Sequence, residues 1–144
     1  SLIEVMPIGS IGEERFNQYL SMKKFEEKLV SKLKLSPSNF KTNGPSRYFS
    51  DNSTDSKIGI ISAISNNFCD TCNRVRLTCT GKLYMCLGQN DYVDLRYALR
   101  NMSKIDIIKQ IEYAMKIKPQ KHNFEISTDN YEGYVNRHMN ETGG

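Results

Sequence analysis

The stretch that decides the fold is residues 68–87, which read FCDTCNRVRLTCTGKLYMCL. From Arg74 to Thr78 charged or polar side chains alternate strictly with apolar ones, which is the period of a β-strand. Gly81 then marks a turn, and residues 82–87 form the predicted return strand. We therefore expect an antiparallel β-hairpin at the centre of this region.

The register of this hairpin depends on the length of its turn. A two-residue turn would set Cys86 opposite Val75, whereas a three-residue turn would set Cys86 opposite Arg74. We favour the three-residue turn 79–81, because its last position adopts the left-handed backbone that Gly81 occupies at little cost.

Three cysteines in this stretch form the pattern C-x2-C-x13-C, at Cys69, Cys72 and Cys86. Three thiolates can hold a [4Fe–4S] cluster and leave one iron open. Spacing alone leaves structural zinc open as well, although zinc ribbons usually carry a second C-x2-C pair. Ordinary buried thiols would not explain the C-x2-C spacing. The candidate fourth ligands for zinc are Cys79, His122 and His138.

Two arginines follow the second cysteine closely, at Arg74 and Arg76. In the favoured register Arg76 faces Tyr84, and both arginines share a face with Cys86. Alternating arginines often mark no more than a solvated strand face. Their position beside a metal ligand favours a second interpretation, in which their planar guanidinium groups grip a phosphate or carboxylate.

The remaining pattern predicts a mixed α+β fold. Leu2–Pro7 is apolar enough for a strand covered on both faces, with parallel neighbours that we expect from residues upstream of the chain. Ser21 is the expected N-cap of a helix over 22–33. Additional strands are expected at 47–49 and 58–61, and a short helix at 94–100.

A last helix is predicted over residues 104–116, with Ser103 and Asp106 as its capping pair. Its expected buried stripe consists of isoleucines and a methionine at Ile105, Ile108, Ile111 and Met115, with Glu112 as an alternative to Ile111.

Composition limits the possible functions of the chain. It has 144 residues, a net charge of +4 and no tryptophan. No apolar run approaches the roughly 20 residues that a transmembrane helix needs, and no basic stripe with interleaved aromatics indicates nucleic-acid binding. The N-terminus carries no signal-peptide pattern. We therefore expect a cytoplasmic protein, where four cysteines favour metal binding over disulfides.

The cysteine segment closely resembles that of the molybdenum cofactor biosynthesis protein A family, the radical S-adenosylmethionine enzymes called GTP 3′,8-cyclases. The resemblance covers essentially the whole chain and corresponds to the C-terminal portion of such enzymes. The matching pieces are F-C-x-x-C-N-R-x-R-L-T from Phe68, G-K-L from Gly81, C-L from Cys86, I-E-V-M-P-I-G from Ile3, G-P-x-R-Y from Gly44, G-I-I-S from Gly59, K-P-x-x-H from Lys118, and the segment from Met139 to the Gly143-Gly144 end.

The resemblance implies a fold and a division of the chain. Residues 1–40 would be the last strand and helix of a partial TIM barrel. Residues 41–144 would be a C-terminal antiparallel-sheet-plus-helices region that binds an Fe–S cluster and GTP and ends in a flexible Gly-Gly tail.

The resemblance also implies roles for individual residues. Cys69, Cys72 and Cys86 would bind a second [4Fe–4S] cluster, whose open iron contacts the GTP base. The nucleotide site would include Arg74, Val75 and Arg76, and the two arginines would bind phosphate. Gly143 and Gly144 would enter the active site, and the catalytic residues would be these two glycines and the two arginines. Met6 would lie near S-adenosylmethionine.

This sequence lacks the C-x3-C-x2-C motif with which such enzymes bind their first, radical-generating cluster. We therefore expect the chain alone to be inactive as a lyase, since the cofactors carry the radical chemistry. It would be a fragment, a split-gene product or a decayed relative, completed by a missing N-terminal half or a homodimer partner. The rival interpretation is a non-catalytic zinc- or Fe–S-binding interaction module.

Overall fold

The computed structural model describes residues 1–9, 17–124, 126 and 135–142. These residues form two compact units. The first comprises 1–6 and 17–68, and the second comprises 7–9 and the described residues from Cys69 onward. The units are defined by contacts alone, so the expected boundary near residue 40 stays a prediction.

The first unit is a four-stranded sheet covered by one helix. Its elements are β1 (Leu2–Ile3), α1 (Met22–Leu33), β2 (Ser36–Pro37), β3 (Arg47–Ser50) and β4 (Lys57–Ile61). The strand order is β1-β4-β3-β2, and only the β1–β4 pair is parallel. The helix packs on the sheet through a buried cluster of Met22, Leu35, Phe49 and Ile60.

The first strand differs from its prediction. It spans only Leu2–Ile3, both residues are exposed, and it pairs in parallel with β4. The strand is shorter than predicted, and a neighbouring strand from upstream residues stays a prediction. In the described part of the first sheet β1 is an edge strand.

Glu4 follows β1 and is a buried charged residue, only 1% exposed, that links several segments of the first unit. Its carboxylate accepts hydrogen bonds from the amides of Ile64 (2.7 Å), Ser65 (2.9 Å) and Met22 (3.1 Å). The hydroxyl of Tyr19 donates to it as well, at 2.8 Å. Glu4 thus satisfies the first amide of α1, whereas Ser21 occupies the N-cap position without a side-chain cap bond.

The second unit is a three-stranded antiparallel sheet with two helices. Its elements are β5 (Arg76–Leu77), β6 (Lys82–Tyr84), β7 (Tyr92–Asp94), α2 (Arg96–Asn101) and α3 (Lys104–Lys116). Leu83, Met85, Leu95 and Ala114 form its buried core. Two sheets with few helices confirm the predicted α+β class.

The hairpin register is the predicted one. Arg76 pairs with Tyr84 and Leu77 with Leu83, and Gly81 has a φ of 79°. The three-residue turn is therefore confirmed, with Gly81 in the left-handed region. A side chain on Gly81 would also meet Arg96, since an added Cβ would lie 2.7 Å from the Arg96 Cγ atom.

The last helix begins where predicted, but its buried stripe was wrong. Ser103 caps α3 by accepting from the Asp106 amide at 3.3 Å. Ala114 is fully buried and Ile107 and Gln110 half-buried on the inner face. The four residues that we expected inside are exposed, from 39% to 66%: Ile105, Ile108, Ile111 and Met115. Small Ala114 lets the helix approach the sheet closely, which a count of large apolar residues does not anticipate.

No helix in the described part of the chain is long and apolar enough to cross a membrane.

Candidate metal centre

The two closely spaced cysteines lie on one tight turn. A 3-10 helix spans Cys69–Thr71, and the amide of Cys72 donates to the carbonyl oxygen of Cys69 at 3.0 Å. Both thiols are free and half-buried. The C-x2-C spacing is therefore folded into a compact knuckle by a local hydrogen bond.

The hairpin carries the third cysteine to the same region. Cys86 lies two residues beyond β6, is half-buried and is also free. Burial raises the pKa of the Cys86 thiol, and the negative charges of Cys69 and Cys72 raise it further. A hydrogen bond from the Gly88 amide and the charge of Lys118 act in the opposite direction without cancelling the rise. The three sulfurs are thus near enough to interact electrostatically.

A cluster and a single ion require different arrangements of the same three thiolates. Within the described ranges, no three His, Cys, Asp or Glu side chains are arranged to hold a metal ion directly. A zinc ion needs thiolate sulfurs to converge to about 2.3 Å from one point. A [4Fe–4S] cluster distributes its cysteines over different irons, so its thiolates surround a larger body.

The candidate fourth ligands for zinc lie elsewhere or have other contacts. Cys79 is exposed in the hairpin turn. The Nδ1 atom of His122 accepts a hydrogen bond from the Phe124 amide at 3.2 Å. The ring of His138 lies against Gly9, where an added Cβ would be 2.6 Å from the His138 Nδ1 atom.

The predicted anion-binding residues lie between the cysteines in the hairpin. Arg74 and Val75 are exposed, and Arg76 is half-buried on β5. The register brings Arg76 opposite Tyr84 and so carries the arginine segment alongside the strand that leads to Cys86. The structure thus places all three predicted nucleotide-binding residues in the same unit as the cysteines.

A further arginine, Arg137, lies at this site and was not anticipated from the sequence. Its guanidinium donates to the carbonyl oxygens of Leu87 (2.9 Å) and Gln89 (2.7 Å), and its Cζ atom lies 4.0 Å from the centre of the Tyr84 ring. The pKa of Arg137 is lowered, mainly by burial and also by the positive charge of Arg76. Negative charge on Tyr84 and Cys86 acts in the opposite direction without cancelling this effect.

Arg137 fastens the C-terminal segment to the loop after Cys86. Its Nε atom is buried and has no hydrogen-bond partner among the described residues. Ile8 forms a parallel bridge with Val135, and Thr142 is buried. Nothing in the local pattern around Arg137 distinguishes it from a surface arginine, because its contacts are about 50 residues away.

A second unanticipated residue is Lys118, which follows α3. Its ammonium donates to the carbonyl oxygens of Met85 (2.7 Å) and Arg74 (3.2 Å). Met85 immediately precedes Cys86, and Arg74 lies two positions after Cys72. The sequence signals were its place between a helix end and Pro119 and its membership of the K-P-x-x-H piece that resembles the family.

The other predicted site residues belong to the first unit or lie outside the described residues. Met6 is half-buried and belongs to the first unit, so its role toward S-adenosylmethionine stays a prediction. Gly143 and Gly144 lie outside the described residues, which end at Thr142.

Comparison with known proteins identifies the family. A family model described as Molybdenum Cofactor Synthesis C matches residues 1–124. The chain is 45% identical over 145 aligned positions to proteins named GTP 3′,8-cyclase from Brucella ovis, Brucella canis and Brucella abortus. These alignments cover 100% of this chain and 42% of each relative. The chain therefore belongs to the Molybdenum Cofactor Synthesis C family.

Proposed function

We propose that this chain supplies the second [4Fe–4S] cluster and much of the GTP site of a GTP 3′,8-cyclase, a lyase of molybdenum cofactor biosynthesis. The observation that carries the proposal is the arrangement of the second unit. There the three-residue turn pairs Arg76 with Tyr84 on the strand that leads to Cys86, and Cys69, Cys72 and Cys86 are half-buried and free. The names of the relatives support the reaction.

Cys69, Cys72 and Cys86 would hold the cluster. When bound, the cluster would supply an open iron as a Lewis acid for the guanine base. The amide of Gly88 bonds to the Cys86 sulfur, and the ammonium of Lys118 adds a positive charge nearby. Both interactions stabilise negative charge on the sulfur, so these groups suit an anionic cluster.

Positive charge is concentrated where a triphosphate would bind. Arg76 and Arg137 interact electrostatically, and Arg137 also interacts with Cys86. Arg74 is exposed on the same hairpin. Two planar guanidinium groups on one strand can orient phosphate oxygens more firmly than flexible ammonium groups do. In this proposal Arg74 and Arg76 bind phosphate, and Val75 contacts the nucleotide between them.

The division of labour in the whole enzyme follows from what this chain contains. Holding and orienting GTP falls to the hairpin, and Gly143 and Gly144 would reach the reacting ribose. Cleavage of S-adenosylmethionine would depend on a first [4Fe–4S] cluster, for which this sequence has no C-x3-C-x2-C motif. We expect Met6 to contact S-adenosylmethionine, and a missing N-terminal half or a homodimer partner to complete the active site.

Anaerobic reconstitution of the chain with iron and sulfide tests the cluster. We expect a brown protein with about four irons per chain. The Cys86→Ser variant should lose most of this iron, whereas Cys79→Ser should keep it, because Cys79 is exposed in the turn. One zinc per chain without colour, or equal iron loss in both variants, would instead favour the non-catalytic interaction module.

GTP binding is tested on the same reconstituted protein. Replacing Arg76 with Met should weaken GTP binding about tenfold or more, since a charge-assisted bond to phosphate contributes about 1.5–3 kcal/mol. The Arg100→Met variant is the matched control, because Arg100 lies on the exposed end of α2. An unchanged affinity in Arg76→Met would remove the arginine from the proposed site.

A further inference from the structure

The antiparallel ladder of the hairpin stops just before the metal centre. Its last backbone pair toward the cysteines is Arg76 with Tyr84. Continuing the same register would set Val75 opposite Met85 and Arg74 opposite Cys86. Among the described residues, the strand pairs of this hairpin are Arg76 with Tyr84 and Leu77 with Leu83, and both lie on the turn side of Cys72 and Cys86.

Lys118 lies where that ladder stops. Its ammonium donates at 2.7 Å to the Met85 carbonyl oxygen on one strand and at 3.2 Å to the Arg74 carbonyl oxygen on the other. An ammonium has three donors, so a single side chain can bridge two neighbouring segments. Charge-assisted bonds of this kind are about twice as strong as neutral ones.

The base of the lysine is fixed by packing. Lys118 lies two residues beyond the end of α3, and its own amide donates to the Met115 carbonyl oxygen at 3.3 Å. The helix is held to the sheet by fully buried Ala114, which shares a core with Met85. The ammonium is thus supported by the same core that supports the strand leading to Cys86.

We propose that Lys118 is a positioning residue for the metal centre, which bridges the Cys72 and Cys86 segments at a fixed separation and places the charge of its ammonium near the Cys86 thiol. This inference rests on the proposed cluster. The bridge keeps the ligands preorganised, so the cluster is released slowly, and the charge makes reduction of the cluster easier.

Three substitutions separate these effects. The Lys118→Met variant removes both bonds and the charge, Lys118→Gln keeps a donor without charge, and Lys118→Arg keeps both. The Lys116→Met variant is the control, because Lys116 is exposed on the last turn of α3.

The first measurement is iron release from the reconstituted chain to a chelator under anaerobic conditions. We expect about 10- to 100-fold faster release in Lys118→Met, as is typical when a group that supports metal ligands is lost. Lys118→Arg should restore slow release, and Lys116→Met should match the unchanged protein. Equal release rates in all variants would overturn the positioning role.

The second measurement is the reduction potential of the bound cluster. Both Lys118→Met and Lys118→Gln should shift it to more negative values, and Lys118→Arg should return it toward that of the unchanged protein. A purely structural lysine would leave the potential of the fully loaded protein unmoved, and that result would also count against the inference.

The third measurement needs no metal and separates the two proposals. In the metal-free chain, hydrogen exchange of the hairpin peptide should be faster in Lys118→Met than in Lys116→Met. If Lys118→Met does not fold, Lys118→Gln provides the same comparison. If the chain without substitutions takes up no iron, the cluster proposal is refuted. If it takes up the full amount of iron but the hairpin exchanges at equal rates in Lys118→Met and Lys116→Met, only the inference about Lys118 is refuted.

Discussion

Replacing Glu4 by glutamine should destabilise the first unit by about 2–4 kcal/mol. One carboxylate oxygen accepts from the amides of Ile64 and Ser65, and the other from the Met22 amide and the Tyr19 hydroxyl. The variant's NH2 group cannot accept, so at least one buried amide loses its partner, which costs about 1–3 kcal/mol. The remaining bonds lose their charge assistance, which accounts for about another 1 kcal/mol.

Urea unfolding of Glu4→Gln and of Glu27→Gln gives the comparison, because Glu27 is exposed on α1. Hydrogen exchange of the peptide that contains Ile64 and Ser65 assigns the loss to the first unit. We expect faster exchange there only in Glu4→Gln. Equal stability of the two variants would refute the view that Glu4 joins β1 to α1.

The effect should also depend on pH. Burial alone would raise the pKa of Glu4, but the hydrogen bonds from the amides of Ser65, Ile64 and Met22 outweigh it and lower the pKa. A lowered pKa stabilises the folded state above the unfolded pKa of about 4.3, and this contribution is lost as pH falls through the folded pKa. The stability difference between the unchanged chain and Glu4→Gln should therefore shrink below about pH 4. A difference that stays constant to the lowest pH would contradict the pKa assignment.

Three further substitutions test the second unit. Gly81→Ala should cost about 1–2 kcal/mol in thermal unfolding, because alanine is strained at a φ of 79° and its Cβ would meet Arg96; no loss would contradict the turn geometry. Ser103→Ala should lower the free energy of unfolding by about 1 kcal/mol, because it removes the cap on the Asp106 amide. The control Ser31→Ala should be near neutral, because Ser31 is exposed on α1. Arg137→Met should speed proteolysis near the C-terminus by releasing residues 135–142, and unchanged cleavage would show that other contacts hold this segment.

The parts of the fold that the sequence predicted have local causes. The hairpin register followed from Gly81, which accepts the left-handed backbone at the third turn position. The start of α3 followed from its cap, Ser103. In each case neighbouring residues determine the conformation, so single-sequence patterns contain the information.

The parts that the sequence did not predict depend on distant contacts. The strand β7 was not expected, because its residues Tyr92–Asp94 lack alternation and owe their conformation to pairing with β6. The inner face of α3 centres on Ala114, whose small size matters only against a sheet already in place. Lys118 and Arg137 reach carbonyl groups 33 to 50 residues away, and backbone acceptors leave no trace in side-chain patterns.

The most direct test of the central claim is Mössbauer spectroscopy of the chain reconstituted with isotopically enriched iron, recorded with and without GTP. Three cysteines on a four-iron cluster leave one iron to take the nucleotide, so about a quarter of the iron signal should shift when GTP is added. A spectrum in which no iron responds to GTP, or in which a single mononuclear site accounts for all the metal, would contradict the account.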